Sequence, residues 1–287
     1  MNKLYLLFNK EQNNLFWLDF FRISISIFII IHFVAALPDF NNLYSVNEGV
    51  LSYDVVDVFV PEYIINLPKI ILFLNNFGIP YAATILGFKI IYIASALILL
   101  SGFYQNFSAA ILLLMQIVLT KSNLYFSYGA DFFTSISLFY LVILPPHLNS
   151  SALPFFKKVF QIHVCIVYFF AGFDKLLGIN WWNGESIWKA INLPFATSTY
   201  DITFLGNYPI LLTMTGLATA FLELLYPFFV WNKKTSNTWI YLIILMHVGI
   251  AFILNLYFFS AIMIIWNLAL MFSLNNEKDY RFYSIKA

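Results

Sequence analysis

Residues 168–194 read YFFAGFDKLLGINWWNGESIWKAINLP. An uncharged aromatic run meets two adjacent opposite charges, Asp174 and Lys175, and then Trp181, Trp182 and Gly184. Tryptophan favours headgroup depth in a bilayer, and glycine permits a sharp change of direction. The stretch therefore reads as the outer end of a membrane span meeting the interface, with residues 185–193, ESIWKAINL, returning along the surface as an amphipathic lid.

The rest of the chain supports that reading. Of 287 residues, 61% are hydrophobic, 20% aromatic and only 10% charged, against about 25% charged in soluble domains. The expected class is an all-α integral membrane protein, a single transmembrane domain over 1–287 whose first partner is the lipid bilayer. A net charge of +1 without basic clusters gives no electrostatic footprint for nucleic acid. Cys165 is the single cysteine, so neither an intrachain disulfide nor a CxxC metal site can form, and it reads as a small core residue. The first residues, MNKLYLLFNKEQNN, lack the apolar length and cleavage site of a signal peptide.

A hydrocarbon core of about 30 Å requires about 20 apolar residues per helix. Eight segments qualify as expected spans: 15–37, 80–103, 106–122, 127–145, 157–177, 209–231, 238–255 and 257–273. The last two are divided at Asn255, and without that division the count is seven. With a cytoplasmic amino terminus, Lys3, Lys10, Lys157, Lys158, Lys233, Lys234, Lys278, Arg281 and Lys286 fall inside, and only Lys69, Lys121 and Lys189 outside. This distribution satisfies the positive-inside rule and places both termini in the cytoplasm. Two long connections, 38–79 and 178–208, then lie outside. In the first, 61–77 is too interrupted by Pro68 and Lys69 to span and reads as an interfacial or re-entrant helix.

Ionisable groups inside spans are costly and tend to be directed inward with partners. On this topology His32, Lys89, Asp131, Asp174 and Lys175 fall in the outer half or at its edge, His247 near the middle, and Asp19, Arg22 and Glu223 in the inner half. The inner set has a structural reading, with Arg22 pairing Glu223 across the bundle. The outer set comes from several spans and converges on one depth, as a polar cavity open to the outside would. Each member also has a plainer reading: Lys89 can snorkel, Asp131 can pair with Lys89, and His32 or His247 can serve as packing residues. A lysine against apolar walls can act as a base, which puts Lys175 first. Asp174 would oppose that only by pointing the same way, and helix neighbours sit about 100° apart.

The run YFFAGFDKLLGINWWNGES, beginning at Tyr168, resembles the signature of the membrane domain shared by vitamin K-dependent gamma-carboxylases and bacterial relatives, the HTTM (horizontally transferred transmembrane) family. FLELLYPFFVW at 221–231 is similar to that family's acid-then-proline helix, and LMHVGIAFILNLYFFSAIMI at 245–264 to its histidine-containing pair of spans. Span 1, with Arg22 and His32, matches more loosely. The resemblance implies that Lys175 corresponds to the base that starts oxygenation of reduced vitamin K, at a site opening to the outside. Together with the charge placement, the further catalytic candidates are His247 and Asp131, with Arg22, Glu223, Lys89, His32, Asp174, Trp182 and Gly184 as structural or pairing residues.

Three departures weigh against carboxylase activity itself. Asp174 stands where the enzymes have a lysine; SNLYFSYGAD at 122–131 lacks their histidine; and the chain is expected to end where the membrane domain ends. YGADFF at 128–133 looks more like the sporulation-delaying protein B group, bacterial proteins of similar size that help to convert a secreted precursor into a toxin peptide. Three readings stand. The first is a bacterial cytoplasmic-membrane protein assisting maturation or export of a secreted peptide, its partner a peptide precursor or a small membrane protein. The second is an enzyme using a quinol-type lipid-soluble cofactor with Lys175 as general base. The third is a structural membrane subunit. No cofactor follows from the residues themselves.

Overall fold

The computed structural model describes residues 2–44, 63–123, 125–144, 152–197 and 201–284, with positions 50, 55, 57, 58, 60 and 61; for 2–15 and 275–284 it describes the backbone alone. The described residues form fourteen α-helices and one 3-10 helix, without strands. In chain order they are α1 (Asn2–Ala36), α2 (Phe40–Tyr44), α3 (Leu67–Asn75), α4 (Tyr81–Ser101), α5 (Gln105–Ser122), α6 (Gly129–Ile143), α7 (Leu153–Leu177), α8 (Ile179–Trp182), α9 (Glu185–Ile191), α10 (Pro194–Thr197), the 3-10 turn Thr203–Asn207, α11 (Pro209–Leu224), α12 (Tyr226–Val230), α13 (Ser236–Leu254) and α14 (Tyr257–Ser284).

Five segments are long and apolar enough to cross a membrane: Phe16–Ala36, Tyr81–Ser101, Leu153–Leu177, Ser236–Leu254 and Tyr257–Leu274. By helix length and hydropathy the chain is a multi-pass membrane protein. The other three expected spans fold as helices of a different kind. α6 and α11 are apolar but shorter, and a helix of 15 residues extends only about 22 Å at 1.5 Å per residue. α5 is long enough but carries Gln105, Asn106, Gln116 and Lys121.

The chain divides into two compact units, one of residues 1–21 and 148–287, the other of residues 22–147. In the first, α7 packs on α11, α12 and α14, and α13 pairs with α14. Trp17, Phe21, Phe160 and Trp266 form its aromatic core, all fully buried, with Trp17 and Trp266 centred 5.6 and 5.3 Å from Phe160. The expected span 209–231 is broken here. Pro227 lies in the first turn of α12 and cannot donate to the preceding turn, so α11 stops at Leu224, and the Trp239 indole donates to the Leu222 carbonyl at 2.9 Å. The division expected at Asn255 is present: this residue ends α13 in the left-handed region, φ 54°, which asparagine tolerates better than most residues.

In the second unit, α4 packs on α5 and α5 on α6. α4 ends at Gly102, φ 83°, a left-handed position that glycine occupies without strain. α3 accounts for only part of the expected 61–77 element. Asn66 caps it by accepting the Lys69 N–H at 2.9 Å, and Pro68 sits in the first turn, where a missing N–H costs nothing.

Candidate functional site

The site grows from one helix face. Tyr168, Gly172 and Lys175 stand at i, i+4 and i+7 on α7, spacings that share a face. Opposite are Ala220 and Glu223 on α11 and Tyr226 at the start of α12. Gly172 lets the backbones meet: a Cβ there would lie 2.2 Å from the Leu224 nitrogen and 2.6 Å from the Ala220 carbonyl oxygen. No side chain larger than hydrogen fits without moving α11.

That close crossing delivers Lys175 Nζ to Glu223 Oε2 at 2.6 Å. Glu223 is buried, its side chain 8% exposed, whereas Lys175 keeps 20% of its side-chain surface accessible. Lys175 Nζ also lies 3.4 Å from the Ala171 carbonyl oxygen and 5.3 Å from the centre of the Trp181 ring, within reach of a cation–π attraction. Asp174 is exposed and points away from this pair, as the helical offset between neighbours requires. Glu223, expected in the inner half of the bilayer, is level with Lys175 instead. The first half of α11 packs beside the elements that follow α7, with Thr213 at Gly184 and Gly216 at the Trp181 carbonyl, so that Glu223 comes level with the last turns of α7.

Over the pair sits a built cap. The Trp182 indole donates to the Leu176 carbonyl at 2.8 Å. Gly184 adopts φ 80°, and a Cβ there would lie 2.7 Å from the Thr213 nitrogen. Gly216 closely faces the Trp181 carbonyl, Gly206 the Trp188 ring, and Asn255 donates to the Phe195 carbonyl. The expected lid is therefore fastened at several points. On its surface Glu185 pairs with Lys189 at 2.7 Å, and the hydrogen bond and charge of Lys189 hold the Glu185 carboxyl below its ordinary value.

Two turns along α7 from Lys175 lies His247, 2% exposed, within a chain of buried polar groups. Its Nε2 is 2.9 Å from the Tyr168 hydroxyl. Asn267 Nδ2 donates to the same hydroxyl at 2.6 Å and to the Met263 carbonyl at 2.8 Å, and Tyr226 donates to Asn267 Oδ1 at 2.7 Å. The Tyr168 and Tyr226 rings pack 4.5 Å apart. Tyr168, Tyr226 and Asn267 were not singled out by sequence reasoning. The available signals were an uncharged amide in the middle of an apolar span and the period shared by Tyr168 with Lys175.

The remaining candidates belong to the other unit. Arg22 donates through Nη1 to the carbonyls of Leu99 and Leu100 at 2.9 and 2.7 Å, and its guanidinium lies over Gly102. The expected partner of Glu223 thus serves as the cap of α4, satisfying carbonyls that a helix end leaves open. Asp131, in the first turn of α6, accepts from the Tyr128 backbone N–H at 3.1 Å and from Gln116 Nε2 at 3.4 Å, and Gln116 accepts from the Tyr92 hydroxyl at 2.7 Å. The anticipated Asp131–Lys89 pair is not formed; Lys89 Nζ lies 4.4 Å from the centre of the Phe40 ring. His32 packs against Phe28, centroids 5.6 Å apart. α3, α4 and α5 also line an apolar groove of about 460 Å³.

Among the described residues no group of His, Cys, Asp and Glu could hold a metal ion. Comparison with protein-family models, curated proteins and solved structures gives no match.

Proposed function

We propose that the chain is a multi-pass protein of a bacterial cytoplasmic membrane, of HTTM type, with both termini cytoplasmic, that assists maturation or export of a secreted peptide at an outward-opening site centred on Lys175 and Glu223. Eight crossings remain part of this reading; local thinning of the bilayer accommodates the short helices α6 and α11.

The Lys175–Glu223 pair carries the proposal. A buried ion pair is seldom worth more to stability than apolar residues of equal volume, and this one leaves its cation partly accessible. It sets a strong donor beside a strong acceptor, the two groups that an incoming peptide backbone needs for its carbonyl and its N–H. A bound peptide would take over part of the hydrogen bonding that the two side chains now give each other.

The same contact supports a second reading as an enzyme. An ammonium donating to a carboxylate at 2.6 Å can pass it a proton, leaving a neutral amine as general base toward a quinol-type, lipid-soluble substrate.

The test is complementation of a deletion strain with Lys175→Ala, Lys175→Arg and Glu223→Gln, checking accumulation in the membrane and measuring processed peptide in the medium by mass spectrometry. Peptide maturation should be lost in Lys175→Ala and partly kept in Lys175→Arg, since arginine can still donate. Loss in both lysine variants favours proton transfer, because arginine does not give up its proton. Full maturation in all three would leave only a structural role.

A further inference from the structure

The apolar groove of the second unit, about 460 Å³, falls in the size range of ligand pockets, about 300–1,000 Å³. Three helices each give it one face. Ala83, Gly87 and Ile91 stand at i, i+4 and i+8 on α4, Ile70 and Leu74 at i and i+4 on α3, and Leu114 and Val118 at i and i+4 on α5. α4 is one of the five segments that can cross a membrane, so the medium beside it is hydrocarbon. Ile91 and Leu114 are exposed, and the groove opens sideways to that medium. At Gly87 it reaches the α4 backbone: a Cβ there would meet nothing within 4 Å, so no atom of the chain uses the room that the glycine leaves.

The lining selects the occupant. Its one hydroxyl, on Thr84, is turned to the Pro80 carbonyl at 3.5 Å, so the groove has no hydrogen bond to offer. An extended peptide or the head of a quinol would leave polar groups unpaired there, which is costly in hydrocarbon. A helix pairs its own backbone but is too wide. Spread along α4 from Ala83 to Ile91, about 12 Å, the volume leaves an opening of roughly 7 Å, against about 10–12 Å for a helix with its side chains. We propose that the groove holds one acyl chain of a bilayer phospholipid, retained by packing against α3, α4 and α5. The site recognises the chain and not the headgroup: Lys69, the cation next to Ile70 on α3, is already engaged by Asp57 at 3.2 Å and by the Ile64 carbonyl at 3.3 Å. The proposal rests on α4 crossing the membrane, and not on the peptide reading.

The test is photolabelling of the full-length protein in phosphatidylcholine nanodiscs that contain a small fraction of phosphatidylcholine with a diazirine in one acyl chain. Residues 83–91 and 111–118 should be labelled about tenfold more than the exposed face of α13 at Leu245 and Phe252, a modest packing preference over passing lipid. Gly87→Leu fills the groove and should bring its labelling down to the α13 level. Leucine is a better helix former than glycine and its Cβ has free room, so the variant folds. Gly249→Leu makes the same change at an open position of α13 outside the groove and should leave the labelling as it is, as should replacing phosphatidylcholine with phosphatidylglycerol of the same chains. Groove labelling equal to that of α13, or unaffected by Gly87→Leu, would mean passing lipid only and overturn the proposal. A parent protein that is a dimer by light scattering and a Gly87→Leu protein that is a monomer would overturn it too, by putting a second copy on this face.

Discussion

Gly172 and Leu224 meet so closely that a methyl group on Gly172 would overlap the Leu224 backbone nitrogen, at 2.2 Å. This contact fixes how far Glu223 lies from Lys175, because both charges sit within one helical turn of it. Its neighbour on the same face, Tyr168, belongs to the buried network around His247.

Gly172→Ala therefore separates α7 from α11. Overpacking in a close-packed core costs about 1–3 kcal/mol, and the Lys175–Glu223 distance should lengthen with it. The expected outcome is a lower unfolding temperature in detergent together with reduced maturation. A thermally unchanged Gly172→Ala protein would show that the crossing is looser than described.

Arg22 gives a second test, independent of the first. Its two hydrogen bonds to Leu99 and Leu100 close the end of α4, and bonds to charged groups are worth about 1.5–3 kcal/mol. Arg22→Met should lose stability of that order without altering the Lys175 site. Arg22→Lys should recover only part of it, since an ammonium does not reproduce the guanidinium's planar fork of donors.

The opening stretch shows which parts of this were readable in advance. The end of α7, the tryptophans at its edge and the turn at Gly184 follow from residue types whose physical preferences are strong and local. The separate facing of Asp174 and Lys175 follows from helical geometry. The partner of Lys175 does not, because pairing depends on the register of α11 against α7, which is set by the close contacts at Gly172, Gly184 and Gly216. The role of Arg22 was hidden for a related reason: a cation in an apolar span suggests an acid as partner, yet helix-end carbonyls accept from it too. Asn267 and Tyr226 carry no charge, so a survey of ionisable residues passed over them.

The most direct measurement is exchange of the charges, Lys175→Glu with Glu223→Lys. On burial grounds alone, either single change leaves two like charges in contact and should destabilise the protein by roughly 3–5 kcal/mol; the double change restores an ion pair and should recover most of the unfolding temperature. If the site acts on a ligand, the cation now stands on the buried position of Glu223 and the accessible donor is gone. The expected result is a refolded, stable double variant that still fails to mature the peptide. A double variant that regains stability and maturation together would contradict the account, because the pair would then be serving only to hold α7 against α11.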